Sequence, residues 1–215
     1  NPYHNGNLPQ REYDPDMALD ILEEAGWTDS DEDGILDKEI EGERVKFEME
    51  FLVNSGNQLR KDIALVFQAE AQDIGIECQV IELDWSVFLE RVTKKREFDA
   101  ITLGWSGGGG IASAPDAYTI WHSSQIEGGG FNFIGFRNEE VDGILEAYRE
   151  EFALDKRVEY YLRFQEILNQ EQPYTFLWNQ RRVTAYSRRF RDANWYPIGT
   201  DRDEWWVAEP DRLYQ

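Results

Sequence analysis

Histidine and cysteine are almost missing from these 215 residues: His4, His122 and Cys78 are all there is. One cysteine excludes an internal disulfide and says nothing decisive about the redox compartment. His4 lies in a proline-rich opening, so histidine-based catalysis would rest on His122 alone. No H-E-x-x-H, C-x-x-C or G-x-S-x-G is present. Basic side chains are scarce, 22 against 43 acidic, for a net charge of −21. That balance excludes general nucleic-acid binding, which needs Lys and Arg against phosphates. It also disfavours anionic membrane surfaces. No run of 18 apolar residues occurs, no secretory leader opens the chain, and no repeat is visible. The opening "NPYHNGNLPQREYDPD" lacks a Met and reads as the middle of a longer protein.

What is present suffices for a core: 41% apolar and 14% aromatic residues. The acid excess reads as a solvated, self-repelling surface. "YDPDMALDILEEAGW" predicts a helix capped by Asp14, with Pro15 in its first turn and Gly26 in the left-handed position after it. Ala18, Ile21, Leu22 and Ala25 share one face. Val45–Val53 alternates as a half-buried strand. Asn57 to Ile74 predicts a second helix, with Leu59, Ile63, Val66, Phe67 and Ile74 inward and Gly75 ending it. Strands are expected at Ile76–Leu83 and Phe98–Trp105, separated by a short helix from Asp84 through Lys95. Asn138 and Asp155 are expected to cap two later helices, the second reaching about Gln170. "PYTFLWN" and "RRVTAYS" read as two strands around Gln180, and the last stretch shows no clear period.

Strand, helix, strand, helix, strand implies parallel pairing, and such sheets bind ligands beyond the carboxyl ends of their strands. The stretch "GWSGGGGIASAPDAYTIWHSS" begins at one such end. Its glycines are no phosphate loop, because no GK[ST] follows. The alternatives are a plain surface loop and a loop lining a ligand cleft. "DSDEDGILDKE" matches the first half of a calcium loop: Asp29, Asp31, Asp33, the Ile35 carbonyl and Asp37, with Glu39 or Glu41 beside a twelfth position occupied by Ile40. A structural Ca2+ there would be weak, roughly 10⁻⁴–10⁻³ M; otherwise this is an acid-rich turn. His122 reads as a hydrogen-bonded loop residue.

In order along residues 13 to 180, "YDPDMALDILEEAGW", "DSDEDGILDKE", the N and R of "NSGNQLRKDIALVFQAEAQDIGIECQV", "DWSVFLERV", "FDAITLGW", "PDAYTIWHSS", "NFIGFRNEEVDGIL" and "RVEYYLRFQEILNQEQPYTFLW" resemble the family 5 extracellular solute-binding proteins of ABC importers. The resemblance implies an α/β lobe of the periplasmic binding protein kind, with a mainly parallel or mixed sheet flanked by helices. Residues 1–13 would be an opening segment, 14–190 the lobe, and 191–215 a tail returning toward a second lobe. It implies no enzyme, but capture of a peptide or similar polar solute and delivery to ABC permease subunits. The protein would be a monomer, periplasmic or extracytoplasmic, and lipid-anchored through another part of the chain. The ligand-binding residues so implied are Trp105, Ser106, Gly107, Gly108, Asp116, Tyr118, Trp121 and Asn132, lining a face open to solvent. In peptide-binding relatives an Asp for the α-amino group stands where Gly108 is here. The competing classes are a calcium-stabilised surface module and a hydrolase domain.

Overall fold

The computed structural model describes residues 2–105, 115–127, 130–178, 183, 185–196 and 200–213. These form two units. One comprises Pro9–Trp105 with Gly129–Gly135, the other Asn1–Leu8, Ser106–Gly128 and Phe136–Gln215. We call them the sheet unit and the helical unit.

The sheet unit opens with α1 (Pro15–Glu24). The Asp14 carboxylate accepts from Met17 N–H at 2.9 Å, and Gly26 at φ +88° ends the helix as expected. Ala18 and Leu22 turn partly inward, but Ile21 stays 57% exposed. β1 (Asp37–Ile40) and β2 (Glu43–Lys46) form an antiparallel hairpin. β3 (Glu48–Asn54), α2 (Gln58–Asp73), β4 (Glu77–Leu83), α3 (Trp85–Leu89) and β5 (Ala100–Ile101) follow. The sheet order is β4-β3-β5, all parallel, so the three expected strand regions are neighbours in one sheet.

Two strands differ from expectation in extent. The Val45–Val53 run is divided because Phe47 changes partners: its N–H donates to the Leu36 carbonyl, and its carbonyl accepts from Glu77 N–H. The first half therefore joins the hairpin and the second the sheet, leaving Val45 40% exposed. β5 covers two residues, not Phe98–Trp105. Asp99 accepts from Glu50 N–H at 2.8 Å, so a side chain replaces the ladder bond before β5 begins.

Helices cover both faces of this sheet, and each face packs its own cluster. Phe51, Val53, Ala64, Ala71, Ile76 and Cys78 bury one side; Leu52, Phe88, Val92 and Phe133 bury the other. α2, capped by Asn57, approaches through Ala64 and Ala71. The large side chains expected inside are less buried: Leu59, Val66 and Phe67 are 56%, 63% and 41% exposed. Small residues bring a helix close to a sheet; bulky ones at its margins stay out. Gly75 (φ +80°) follows, and a Cβ there would meet Leu36 Cγ at 2.9 Å. After α3 the chain takes a π-helical turn over Glu90–Lys95, and Asp84 makes no side-chain cap.

The helical unit contains α4 (Tyr118–Trp121), α5 (Glu139–Glu150) and α6 (Leu154–Glu171). Asn138 caps α5 by accepting from Val141 N–H, and Val141, Leu145 and Tyr148 bury one face. Asp155 lies in the first turn of α6 and does not cap it; Glu151 takes the N–H groups of Phe152 and Ala153 instead. The expected strand pair around Gln180 is not formed by its described residues, 173–178, 183 and 185–187; residues 179–182 and 184 lie outside the description. The final stretch is ordered into a short ribbon of β6 (Phe190–Arg191) and β7 (Trp206–Val207).

Candidate functional site

At the carboxyl edge of the sheet unit, β3 ends in Asn54 and the chain leaving β5 reaches Gly104 and Trp105. The first turn of α2 sends Arg60 to the same place. Its Nη1 donates to Asn54 Oδ1 at 2.6 Å, and its Nη2 lies 3.9 Å from where a Gly104 Cβ would stand. The guanidinium thus lies close beside this stretch of backbone, at a distance where a Cβ would make only ordinary contact. Arg60 is half-buried, and burial draws its pKa below the ordinary arginine value. Among the described residues no carboxylate pairs with it; a neutral amide holds it instead. In a chain with twice as many acids as bases, a partly desolvated cation with an amide as its described partner has the chemistry to receive an anion. Sequence reading carried Arg60 only as part of a resemblance; the usable signal was Asn and Arg six residues apart across a strand-to-helix turn.

Trp105 is 44% exposed. Its ring packs at 5.4 Å from Phe131 and 5.9 Å from Phe133, and Phe133 is braced by Phe98 at 6.4 Å. Asn132, between those two phenylalanines, is wholly buried, not on an open face as expected.

The other expected ligand residues lie in the helical unit. Asp116 accepts from Arg149 through both oxygens, with Nη2 at 2.7 Å, and from Tyr118 N–H. Partial burial alone would raise its pKa, but Arg149 and the Tyr118 N–H outweigh this and hold it below the usual value. Arg149 lies over the Tyr118 ring at 3.8 Å, and His122 stacks on it at 4.1 Å. Tyr118, Gly143, Glu146, Ala147, Arg149 and Glu150 line an open concavity of about 590 Å3. Trp121 is a core residue, 6% exposed, among Phe136, Phe164, Tyr174 and Phe176; the open position expected for it is corrected. Ser106, Gly107 and Gly108 lie outside the described residues.

His122 makes the contacts a catalytic base would need. Nδ1 is 2.8 Å from Ser124 Oγ, and Nε2 is 3.3 Å from Glu146. Yet Nδ1 also accepts from Ser124 N–H, and Gln125 and Ile126 donate their N–H groups to the carbonyls of His122 and Ser123. These backbone donors are spent on the turn, so none of them is left for a developing oxyanion.

In the acidic turn the carboxylates of Asp29, Asp31 and Asp37 bring oxygens within 4.8 Å of one another. Asp29 accepts from the N–H groups of Asp33 and Gly34, and Asp37 from Ser30. Asp33 is drawn to Lys46, which also lies 3.9 Å from Asp31. Lys46 holds the Asp33 carboxyl below its ordinary pKa, and the Ser30 hydroxyl does the same for buried Asp37. The Ile35 N–H closes onto Asp33; Glu39 is exposed in β1 opposite Arg44. The three-carboxylate cluster suits a hard cation, with Lys46 as its competitor.

An open α/β unit with a cation and aromatic rings beyond parallel strands belongs to the class of small-solute sites. The chain belongs to the bacterial extracellular solute-binding proteins, family 5, whose middle region residues 1–128 match. It is 32% identical over 209 residues to the oligopeptide-binding protein AppA of Bacillus subtilis, covering 94% of this chain and 36% of that protein. The structure of AppA in complex with a nonapeptide superposes with a TM-score of 0.77 at 30% identity, over 96% of this chain and 40% of that one. An oligopeptide-binding protein from Thermus thermophilus, complexed with a pentapeptide, gives 0.69 at 25% identity over 80% and 31%. NikZ from Campylobacter jejuni, in complex with Ni(L-His), gives 0.68 at 27% identity over 80% and 33%. The chain thus spans about a third of the length of these proteins.

Proposed function

We propose that this chain supplies part of the binding site of an ABC-importer receptor, and that Arg60 engages a carboxylate of the captured solute. The single supporting observation is a half-buried guanidinium at the carboxyl edge of a parallel sheet, held by Asn54 with no described acid beside it. A peptide meets this chemistry, and two peptide complexes stand among the similar structures. Trp105, the residue after Gly104, is kept as a ligand-binding candidate of the sheet unit. Asp116 and Tyr118 in the helical unit, and Ser106, Gly107 and Gly108 in the glycine stretch, are kept as separate ligand-binding candidates. Delivery to permease subunits outside the cytoplasm, from a lipid-anchored monomer, completes the reading. The test is calorimetric titration of the chain with short peptides and with their C-terminal amides. Tighter binding of the free acids, lost in Arg60→Gln, supports it; indifference to the carboxylate refutes it.

The three converging carboxylates favour a second, structural role. Ca2+ would take Asp29, Asp31 and Asp37, displacing Lys46 from Asp31. Melting curves with and without millimolar calcium test it.

A further inference from the structure

Arg60 is held at both ends by asparagines of the strand-to-helix turn. Asn57 Oδ1 accepts from its backbone N–H at 3.2 Å, and Asn54 Oδ1 accepts from its guanidinium at 2.6 Å. The Asn54 side chain is itself fixed. Its Nδ2 donates to the Ser55 carbonyl at 3.0 Å, and Ser55 N–H donates to the Leu83 carbonyl at the end of β4. One end of this amide is spent on the turn, so its oxygen is the end that faces the guanidinium. Acids of the neighbouring segments are engaged elsewhere: Asp62 accepts from Gln58, Glu82 from Lys61 and Asp84 from the Ser55 hydroxyl.

We propose that Asn54 is a positioning residue that sets the sign of the solute group received here: it holds the Arg60 guanidinium in place without cancelling its charge. This rests on the reading of Arg60 given above. A half-buried guanidinium needs an acceptor, because its N–H groups otherwise lose water without replacement. A carboxylate would satisfy it and also neutralise it, leaving little charge to draw a second carboxylate. An amide oxygen accepts without a net charge, and the other end of the same amide supplies the N–H that the Ser55 carbonyl takes. Aspartate is the nearest side chain in shape and differs in these two respects. Asn54→Asp therefore adds no bulk, yet it should abolish selection for an anionic solute.

The probes are trialanine and its C-terminal amide, titrated calorimetrically into the unaltered chain and into Asn54→Asp, Asn54→Ala and Arg60→Gln. The unaltered chain should favour the acid by about tenfold or more, as for a charged hydrogen bond. Asn54→Asp should bring that preference below about twofold, as Arg60→Gln does. Asn54→Ala removes the acceptor but adds no charge, so its preference should fall between, near about threefold. The ratio of the two affinities is the readout, because general damage to the fold weakens acid and amide alike. If Asn54→Asp discriminates as well as the unaltered chain while Arg60→Gln does not, the inference is overturned and the Arg60 reading stands. A preference unchanged in Asn54→Ala, or lost there altogether, also overturns it, and this arm decides the matter should Asn54→Asp not fold. Equal binding of acid and amide by the unaltered chain, or silence of both probes, overturns the Arg60 reading itself and this inference with it.

Discussion

Trp105 and Trp121 stand at opposite ends of the same glycine-rich stretch, and on sequence alone they have equal claim to a ligand. Their surroundings differ. Trp105 has one face on Phe133 and the other in solvent; Trp121 is enclosed by four aromatic rings. One is a surface supported by a core and the other is the core. An aromatic residue near glycines is therefore no guide to binding until its second face is known.

The sharpest way to break the contrast is to remove each ring. Trp121→Ala should cost roughly 3–5 kcal/mol, as for other buried aromatics, whereas Trp105→Ala should stay below about 1 kcal/mol. Urea midpoints measure both, and equal losses would dissolve the distinction. Next in size is Arg60→Gln, which should weaken carboxylate-bearing solutes about 10- to 100-fold, the range for a charged hydrogen bond, with little change in the urea midpoint. Calorimetry beside denaturation separates the two outcomes.

Acid provides a third, smaller probe. Asp33, Asp37 and Asp116 all have folded pKa values below their ordinary ones. The stability they add is complete above the unfolded carboxylate value near ~4 and is lost as pH falls through the lower folded values. Two of the three sit in the acidic turn of the sheet unit, so Asp37→Asn should flatten the fall in its urea midpoint between about pH 6 and about pH 3. An unchanged slope means the turn is not where acid acts. The smallest effect expected is that of calcium: at tenfold over its dissociation constant it adds about 1.4 kcal/mol. Lys46→Met should enlarge the melting shift by removing the competitor. A melting temperature indifferent to millimolar calcium in both forms ends the metal reading.

Local signals were readable in advance. Asp14, Asn57 and Asn138 cap their helices because a cap depends on three or four adjacent residues. The parallel sheet followed from crossover lengths. Features that depend on a distant partner were not readable. Phe47 changes partners because Leu36 and Glu77 both reach it. α2 packs through Ala64 and Ala71 because close approach favours small residues over the larger Leu59 and Val66. Trp105 entered as a candidate through the family resemblance, whereas the meaning of Arg60 was not readable, since it comes from Asn54 across the turn.

The outer strand of the parallel sheet governs how copies of this chain behave in a crowd. Glu77 N–H bonds to Phe47, and the Leu83 carbonyl accepts from Ser55, so the odd positions of β4 face inward along the ladder. The groups of Cys78, Val80 and Glu82 therefore point away from it, where another chain's strand would dock. Gln68 reaches from α2 to cover the Cys78 carbonyl, and Glu82 holds Lys61 at 2.7 Å beside the same margin. A helix side chain and an ion pair thus guard the margin, as natural sheets guard theirs against strand addition. The same helix that covers this sheet thus screens part of its outer edge.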